Sequence, residues 1–232
     1  KKNYLFHYTF FLLVSFFNFQ TFAASPSDSL VLVELYETCG GKTWTDASHW
    51  NTNAPLKERE GLTLSAEGYV LALNLQGKGL SGTVPASLAK LSKLEQLDLS
   101  NNNLTGFPSF VDHPNSAQIS VNISANRLDF ADLEPNYKAP SVHIFKTLNA
   151  SSQKPRSENQ TLSVSLGEDI AFPFIPFEGK YNKYQWQKRV NGTFQNIPYT
   201  ASELSLNNID AQKLGNYRCL ITNTTVTDMT VV

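Results

Sequence analysis

The sequence predicts an α+β chain that is mainly β: a short solenoid behind a helical N-terminal cap, followed by a β-sandwich. Three observations predict it. Leu and Asn recur in one frame every 24 residues between Val70 and Leu128. An apolar stretch with a Gly40-Gly41 stop stands before that frame, and period-two alternation with turn signals fills the C-terminal third.

Composition supports a folded, sheet-leaning chain. Of 232 residues, 41% are hydrophobic and 17% charged, which argues against intrinsic disorder and a coiled coil. The formal net charge of −1 leaves no basic excess to neutralise phosphates, so nucleic-acid binding is excluded as the main role. Four His and two Cys are too few for a zinc finger or a disulfide scaffold.

At the N-terminus, Lys1 and Lys2 precede the apolar run 10–17, and the small residues Ala23, Ala24 and Ser25 close it. This order is that of a secretory signal peptide over 1–25, cleaved after Ala23 or Ser25. The run is shorter than the roughly 20 apolar residues of a membrane span. Ser27 or Asp28 then caps a helix whose expected apolar face is Leu30, Val31, Val33 and Leu35, ending at Gly40-Gly41. Trp44 and Trp50 supply the apolar area that closes the open end of a stack.

The repeat itself is explicit. Val70, Leu73, Leu75 and Leu80 are matched by Leu94, Leu97, Leu99 and Leu104, each 24 residues on. Val121, Ile123 and Leu128 make a third copy, with Gln118 in the place of Leu94. Asn102 and Asn126 occupy equivalent places, and Lys78 stands there in the first copy. The pattern L-x-x-L-x-L-x-x-N-x-L has the period of leucine-rich repeats. Alternate Leu side chains point inward and stack on the next coil, while the Asn satisfies backbone groups at the turn.

Leu35 to Trp44, Trp50, and Leu80-Ser81-Gly82-Thr83-Val84-Pro85 together resemble the capped repeats of secreted bacterial leucine-rich-repeat surface proteins, and the return segment is similar to that of plant receptor ectodomains. Glu58-Arg59-Glu60-Gly61 departs from the Trp-Tyr-Gly common in such caps, which removes an aromatic contact. The repeat frame stops near Glu134 to Gln153, where Pro135 and Pro140 mark a boundary. The expected domains are therefore 26–139 and 140–232.

The second half reads as short strands around Asn191-Gly192, a strong hairpin signal. Trp186, and Tyr217 two residues before Cys219, resemble the core Trp and the tyrosine corner of an immunoglobulin-like domain. Its last strand is expected to be cut short at Val232. No Cys stands in its strand B region, where Phe172 and Phe174 are found, so Cys39 and Cys219 are both expected to be free. Losing such a disulfide costs about 2–5 kcal/mol, and each buried Phe returns about 1.5–3 kcal/mol. Pro173 in an inner strand removes a ladder donor.

No motif for catalysis emerges. Gly41-Lys42-Thr43 imitates the end of a phosphate loop, but the Gly required five positions earlier is Tyr36. His49, His113 and His143 are scattered without metal-ligand spacing. Asp98 with Asp129 or Asp132 reads as solvated charge rather than a catalytic pair. Six Asn-x-Ser/Thr triplets begin at Asn103, Asn122, Asn149, Asn159, Asn191 and Asn223. No cofactor or metal is expected.

One surface has positional logic. The outward residues of the repeat strands are Ala72, Asn74 and Gln76, then Gln96, Asp98 and Ser100, then Ser120, Asn122 and Ser124. Asp98 is the single charge among them. Both folds are interaction scaffolds, so the resemblance implies a non-catalytic secreted or cell-surface protein of a bacterium. It would mediate adhesion to a protein or glycan ligand on a host, a neighbouring cell or matrix, without membrane insertion after signal cleavage. A eukaryotic receptor-type ectodomain and the accessory region of a larger secreted enzyme are the alternatives.

Overall fold

The structure, a computed structural model, describes residues 26–47, 49–50, 54–155, 161–172 and 177–231. The expected signal peptide, Asn159, Pro173 and Phe174 lie outside these described residues. Helix α1 (Pro26–Thr38) buries Val31, Leu32, Leu35 and Tyr36 and leaves Leu30 and Val33 in solvent. The inward stripe is thus rotated from the expected one. Asp28 lies within the first turn, where its carboxylate accepts the Val70 N–H at 3.0 Å and ties the helix to the first repeat. The chain leaves the helix through Gly40 at φ +74°. Gly41 is tied to a close approach as well, since a Cβ there would sit 2.2 Å from the Tyr36 ring.

Trp44 bridges Tyr36 and Trp50 edge-on, with ring centroids 5.4 and 5.1 Å away. The indole Nε1 of Trp44 donates to the Cys39 carbonyl at 2.8 Å, satisfying its one polar atom. Arg59, in the departure segment, lies 5.9 Å from the Trp50 ring, so a guanidinium replaces the missing aromatic contact.

Strands β1 (Leu62–Leu64), β2 (Val70–Asn74), β3 (Ser81–Thr83), β4 (Gln96–Asp98), β5 (Asn103–Gly106) and β6 (Ser120–Asn122) build the repeats. Short helix α2 (Phe130–Leu133), strands β7 (Tyr137–Ala139) and β8 (Val142–His143), and strand β9 (Thr147–Asn149) follow. One sheet runs β1-β2-β4-β6-β9, antiparallel at the first step and parallel thereafter. On the return side, β3 and β5 pair in parallel. The inward Leu residues form one continuous core. In the third copy Gln118 is exposed, and fully buried Ile119 provides the apolar side chain that the frame assigned to that place.

The Asn residues hold the coils to one another. Buried Asn102 donates through Nδ2 to the carbonyls of Leu75 and Leu99 at 2.9 Å, and its Oδ1 accepts the Gly79 and Leu80 N–H groups. Asn126 repeats this one coil later, with Leu99, Ile123 and Leu104 as partners.

The sheet does not stop at the expected boundary of 139. Thr147, Leu148 and Asn149 pair in register with Ser120, Val121 and Asn122. Gln153 then takes the Asn role, donating to Ile123 and Ala150 carbonyls and accepting the Leu128 N–H. A fourth coil therefore extends the solenoid to about residue 155. The hairpin β7–β8 lengthens this coil and throws it out of the 24-residue frame.

The second half contains β10 (Ile170–Phe172), β11 (Asn182–Val190), β12 (Thr193–Asn196), β13 (Leu204–Leu206) and β14 (Tyr217–Asn223). They form a three-stranded sheet, β12-β11-β14, and a two-stranded one, β10-β13. Trp186 packs among Leu204, Leu206 and Ile209. Phe172 stands 6.4 Å from Trp186 and 5.7 Å from Tyr217, ring to ring. Tyr217 Oη donates back to the Lys213 carbonyl at 2.5 Å. Asn191 and Gly192 take φ +49° and +83° at the β11–β12 turn. Cys39 and Cys219 are both free.

Separate cores for the two halves were expected, yet Phe177, Ile221, Val226, Met229 and Val231 join the solenoid core. Glu134 receives the Lys180 and Tyr181 N–H groups and Nδ2 of Asn223. Tyr137 Oη reaches Asp228 at 3.0 Å, and Ser141 meets both Thr225 and Thr227. The last coil is thus closed by the second half, just as α1 and the tryptophans cover the first.

Candidate functional site

The open face of the five-stranded sheet carries a shallow groove of about 410 Å³. Its polar floor comes from one position per strand: Asn74, Asp98, Asn122 and Asn149, with Gln96, Ser120 and Thr147 beside them. Parallel strands lie about 4.8 Å apart, so these side chains form rows at that spacing. Among the described residues no aromatic lines the groove.

The row is organised by its own hydrogen bonds. Each Asx residue turns back onto the residue two ahead, which ends the strand. Asp98 Oδ1 accepts the Ser100 N–H at 2.9 Å and its hydroxyl at 2.6 Å. Asn122 does the same with Ser124, and Asn149 with Ser151, hydroxyl to Oδ1 at 2.8 Å in both. Asn74 accepts the Gln76 N–H at 3.1 Å. Across strands, Asn122 Nδ2 donates to Asp98 Oδ2 at 3.1 Å. The single carboxylate is therefore held in place by a neighbour rather than standing free.

These contacts sort the expected face. Asn74, Gln76 and Gln96 are exposed; Asp98, Ser120, Asn122 and Ser124 are half-buried. Ser100 is only 1% exposed, so it is not a partner-facing residue: its hydroxyl is turned onto Asp98. Thr147 and Asn149 were missed, because the fourth coil is out of frame. The echo of Ser120-Val121-Asn122-Ile123-Ser124-Ala125-Asn126 in Thr147-Leu148-Asn149-Ala150-Ser151-Ser152-Gln153 was the signal that could have found them.

The other candidates resolve into structural roles. Asp129 and Asp132 cap α2 reciprocally, each accepting the other's backbone N–H. His113 bonds the Leu91 carbonyl at 3.1 Å, and His49 meets Glu60 at 3.0 Å. Gly41–Thr43 is a single 3-10 turn. Among the described residues no group of three or more His, Cys, Asp or Glu could hold a metal ion. Burial pushes the Cys39 and Cys219 thiols up to about 11, the hydrogen bonds at each being the smaller influence. Asn103, Asn149 and Asn191 are exposed, Asn122 is half-buried, and Asn223 lies buried in the contact with Glu134. No helix among the described residues is long and apolar enough to cross a membrane.

Residues 93–113 match the Leucine Rich Repeat family. Among solved structures, a leucine-rich repeat protein from Bacteroides eggerthii is 34% identical over 33% of this chain, with TM-score 0.29, and the match spans only 13% of that protein. The leucine-rich-repeat ectodomain of the receptor kinase SOBIR1 from Arabidopsis thaliana is 24% identical over 57% of this chain and 70% of that one, with TM-score 0.39. A plant ice-binding protein is 17% identical over 57% and 42% of the two chains, with TM-score 0.45. The family match and the Asn-locked parallel coils identify a leucine-rich-repeat fold.

Proposed function

We propose that this leucine-rich-repeat chain is a secreted or cell-surface binding protein without catalytic activity, and that its groove takes a segment of a protein partner. The observation that carries this reading is the groove itself, formed by polar side chains in register from four parallel strands, with Asp98 as its one charge. A volume of about 410 Å³ falls within the few hundred Å³ of ordinary binding sites. The bonds of each Asx residue to the residue two ahead, with the cross-strand bond from Asn122 to Asp98, hold the polar groups before any ligand arrives, which lowers the ordering cost of binding.

The second half serves on this reading as an immunoglobulin-like domain that closes the solenoid. The buried Trp186, the Tyr217 bond to its own upstream backbone and the tight Asn191-Gly192 hairpin support that assignment. The division between the two domains falls after the fourth coil, which ends beyond Gln153. The partner belongs to a host cell, a neighbouring cell or matrix.

Binding of the labelled chain to those three kinds of surface tests the reading. Gln96→Arg together with Asn149→Arg fills the groove with two long cations from exposed positions. Surface binding by the native chain that disappears in the folded variant is the expected result. Equal binding by both would remove the groove from the function.

A further inference from the structure

A second surface lies away from the groove, on the outer face of the sheet β12-β11-β14. Those three strands contain no Asp or Glu, and they contain Lys183, Lys188, Arg189 and Arg218. Strand alternation puts Trp186 inward, so Lys183, Gln187 and Arg189 share the opposite face. The register places Arg218 across from Gln187 on one side, and Phe194 across from Arg189 on the other.

On this face one guanidinium is fixed in both plane and direction. Arg218 Nε donates to Gln187 Oε1 at 2.7 Å, and its guanidinium carbon lies 4.2 Å from the Phe194 ring centroid. Gln187 is itself only 8% exposed, and its Nε2 donates to Asn196 Oδ1 at 2.8 Å. A buried amide therefore relays between the two flanking strands and anchors the guanidinium from beneath. Arg189 donates through Nε to the Gly192 carbonyl at 3.2 Å. In both arginines the hydrogen bond is made by Nε, so the terminal Nη pair is not used in these contacts.

We propose that this face docks an acidic polypeptide segment, with Arg218 as the carboxylate receptor and Arg189 and Lys183 as supporting charge. Charge complementarity names the occupant: three adjacent strands that carry Lys183, Arg189 and Arg218 and no carboxylate match a run of Asp or Glu. A planar Nη1/Nη2 pair matches the two oxygens of a carboxylate, a bidentate geometry that a Lys cannot reproduce. Exposed ion pairs contribute little when both partners must be ordered. Here the stack on Phe194 and the bond to Gln187 have ordered the cation in advance. Phe194 and half-buried Leu220 add apolar footing for the stems of Glu side chains rather than for a sulfated sugar.

The test is fluorescence anisotropy with labelled hexaglutamate at low salt, using the full chain, with circular dichroism as the fold control. Wild type is expected to bind, weakening as salt rises. Arg218→Lys keeps the charge and loses the fork and the stack, and should weaken binding about tenfold. Gln187→Met removes the anchor with no change of charge and should weaken it in the same direction. Lys138→Gln, which removes one positive charge on exposed strand β7 outside this face, should leave binding unchanged. Binding by Arg218→Lys equal to wild type would overturn the proposal, whether or not Gln187→Met folds. So would tighter binding of a sulfated hexasaccharide than of hexaglutamate, or no binding of hexaglutamate at all.

Discussion

Replacing Asn102 by Ala tests whether the Asn row holds the solenoid together. The loss can be worked from what each partner keeps. The Leu75 carbonyl retains the Lys78 N–H at 3.4 Å, the Leu99 carbonyl retains Nδ2 of Asn126 at 2.9 Å, and the Ser100 carbonyl retains the Gly77 N–H at 3.0 Å. The N–H of Gly79 sits at an exposed residue, where water can replace the lost oxygen. The N–H of Leu80 cannot be rescued in this way, because Leu80 is completely buried. One orphaned buried donor costs about 1–3 kcal/mol, and the lost hydrogen bonds and small void add to it. The expected destabilisation is about 2–4 kcal/mol, a sizeable part of the 5–15 kcal/mol typical of a folded protein. In thermal unfolding followed by circular dichroism this amounts to roughly 5–15 °C for a chain of this size. Asn102→Asp should be worse, since it keeps the acceptor for Leu80 but turns a second oxygen toward three carbonyls. An Asn102→Ala variant within about 1 kcal/mol of wild type, at unchanged denaturant slope, would refute the reasoning.

Glu134→Ala removes the acceptor for Lys180, Tyr181 and Asn223, so stability should fall by about 1–3 kcal/mol and amide exchange at Lys180 and Tyr181 should accelerate. Limited proteolysis of the native chain should spare 135–153, because Asn136, Ile144, Phe145 and Ala150 are buried there; early cleavage in that stretch would break the coupled-core description. Thiols held near 11 are almost wholly protonated at pH 8, so alkylation of Cys39 and Cys219 should be slow in the native protein and complete after unfolding. Sequencing the N-terminus of protein recovered from its own cells should read from Ala24 or Pro26, and an uncut Lys1 would dismiss the signal peptide.

The parts of this fold that could be read from sequence are those with a period. Leu73, Leu97 and Val121 are buried where their 24-residue frame puts them, and Asn102 and Asn126 make the turn bonds their positions require. The fourth coil broke the frame through a hairpin insertion, and it wrote Gln153 and Ala150 where Asn and a large aliphatic were sought. Outwardness along a strand was legible too, but not what a side chain does after leaving the backbone. Ser100 obeys the alternation and is nevertheless hidden, because a short hydroxyl reaches a carboxylate two residues away. The contact between the halves had no periodic trace. Val226, Met229 and Val231 are ordinary apolar residues of a terminal hairpin, and only the arrangement of both halves shows what they cover.

Closure at both ends bears on how such a chain can change length over generations. A coil added beyond Gln153 would have to break the bonds of Glu134 and prise Val226, Met229 and Val231 from the core. A coil inserted between Asn102 and Asn126 would meet, on each side, the same interface that already exists there. Duplication of that central unit is therefore nearly free of new design, whereas growth at the margins is not. Lineages related to this chain should differ in the number of middle coils while keeping the two ends recognisable. Each added coil would lengthen the groove by one strand spacing, about 4.8 Å, and leave the Arg218 face unchanged.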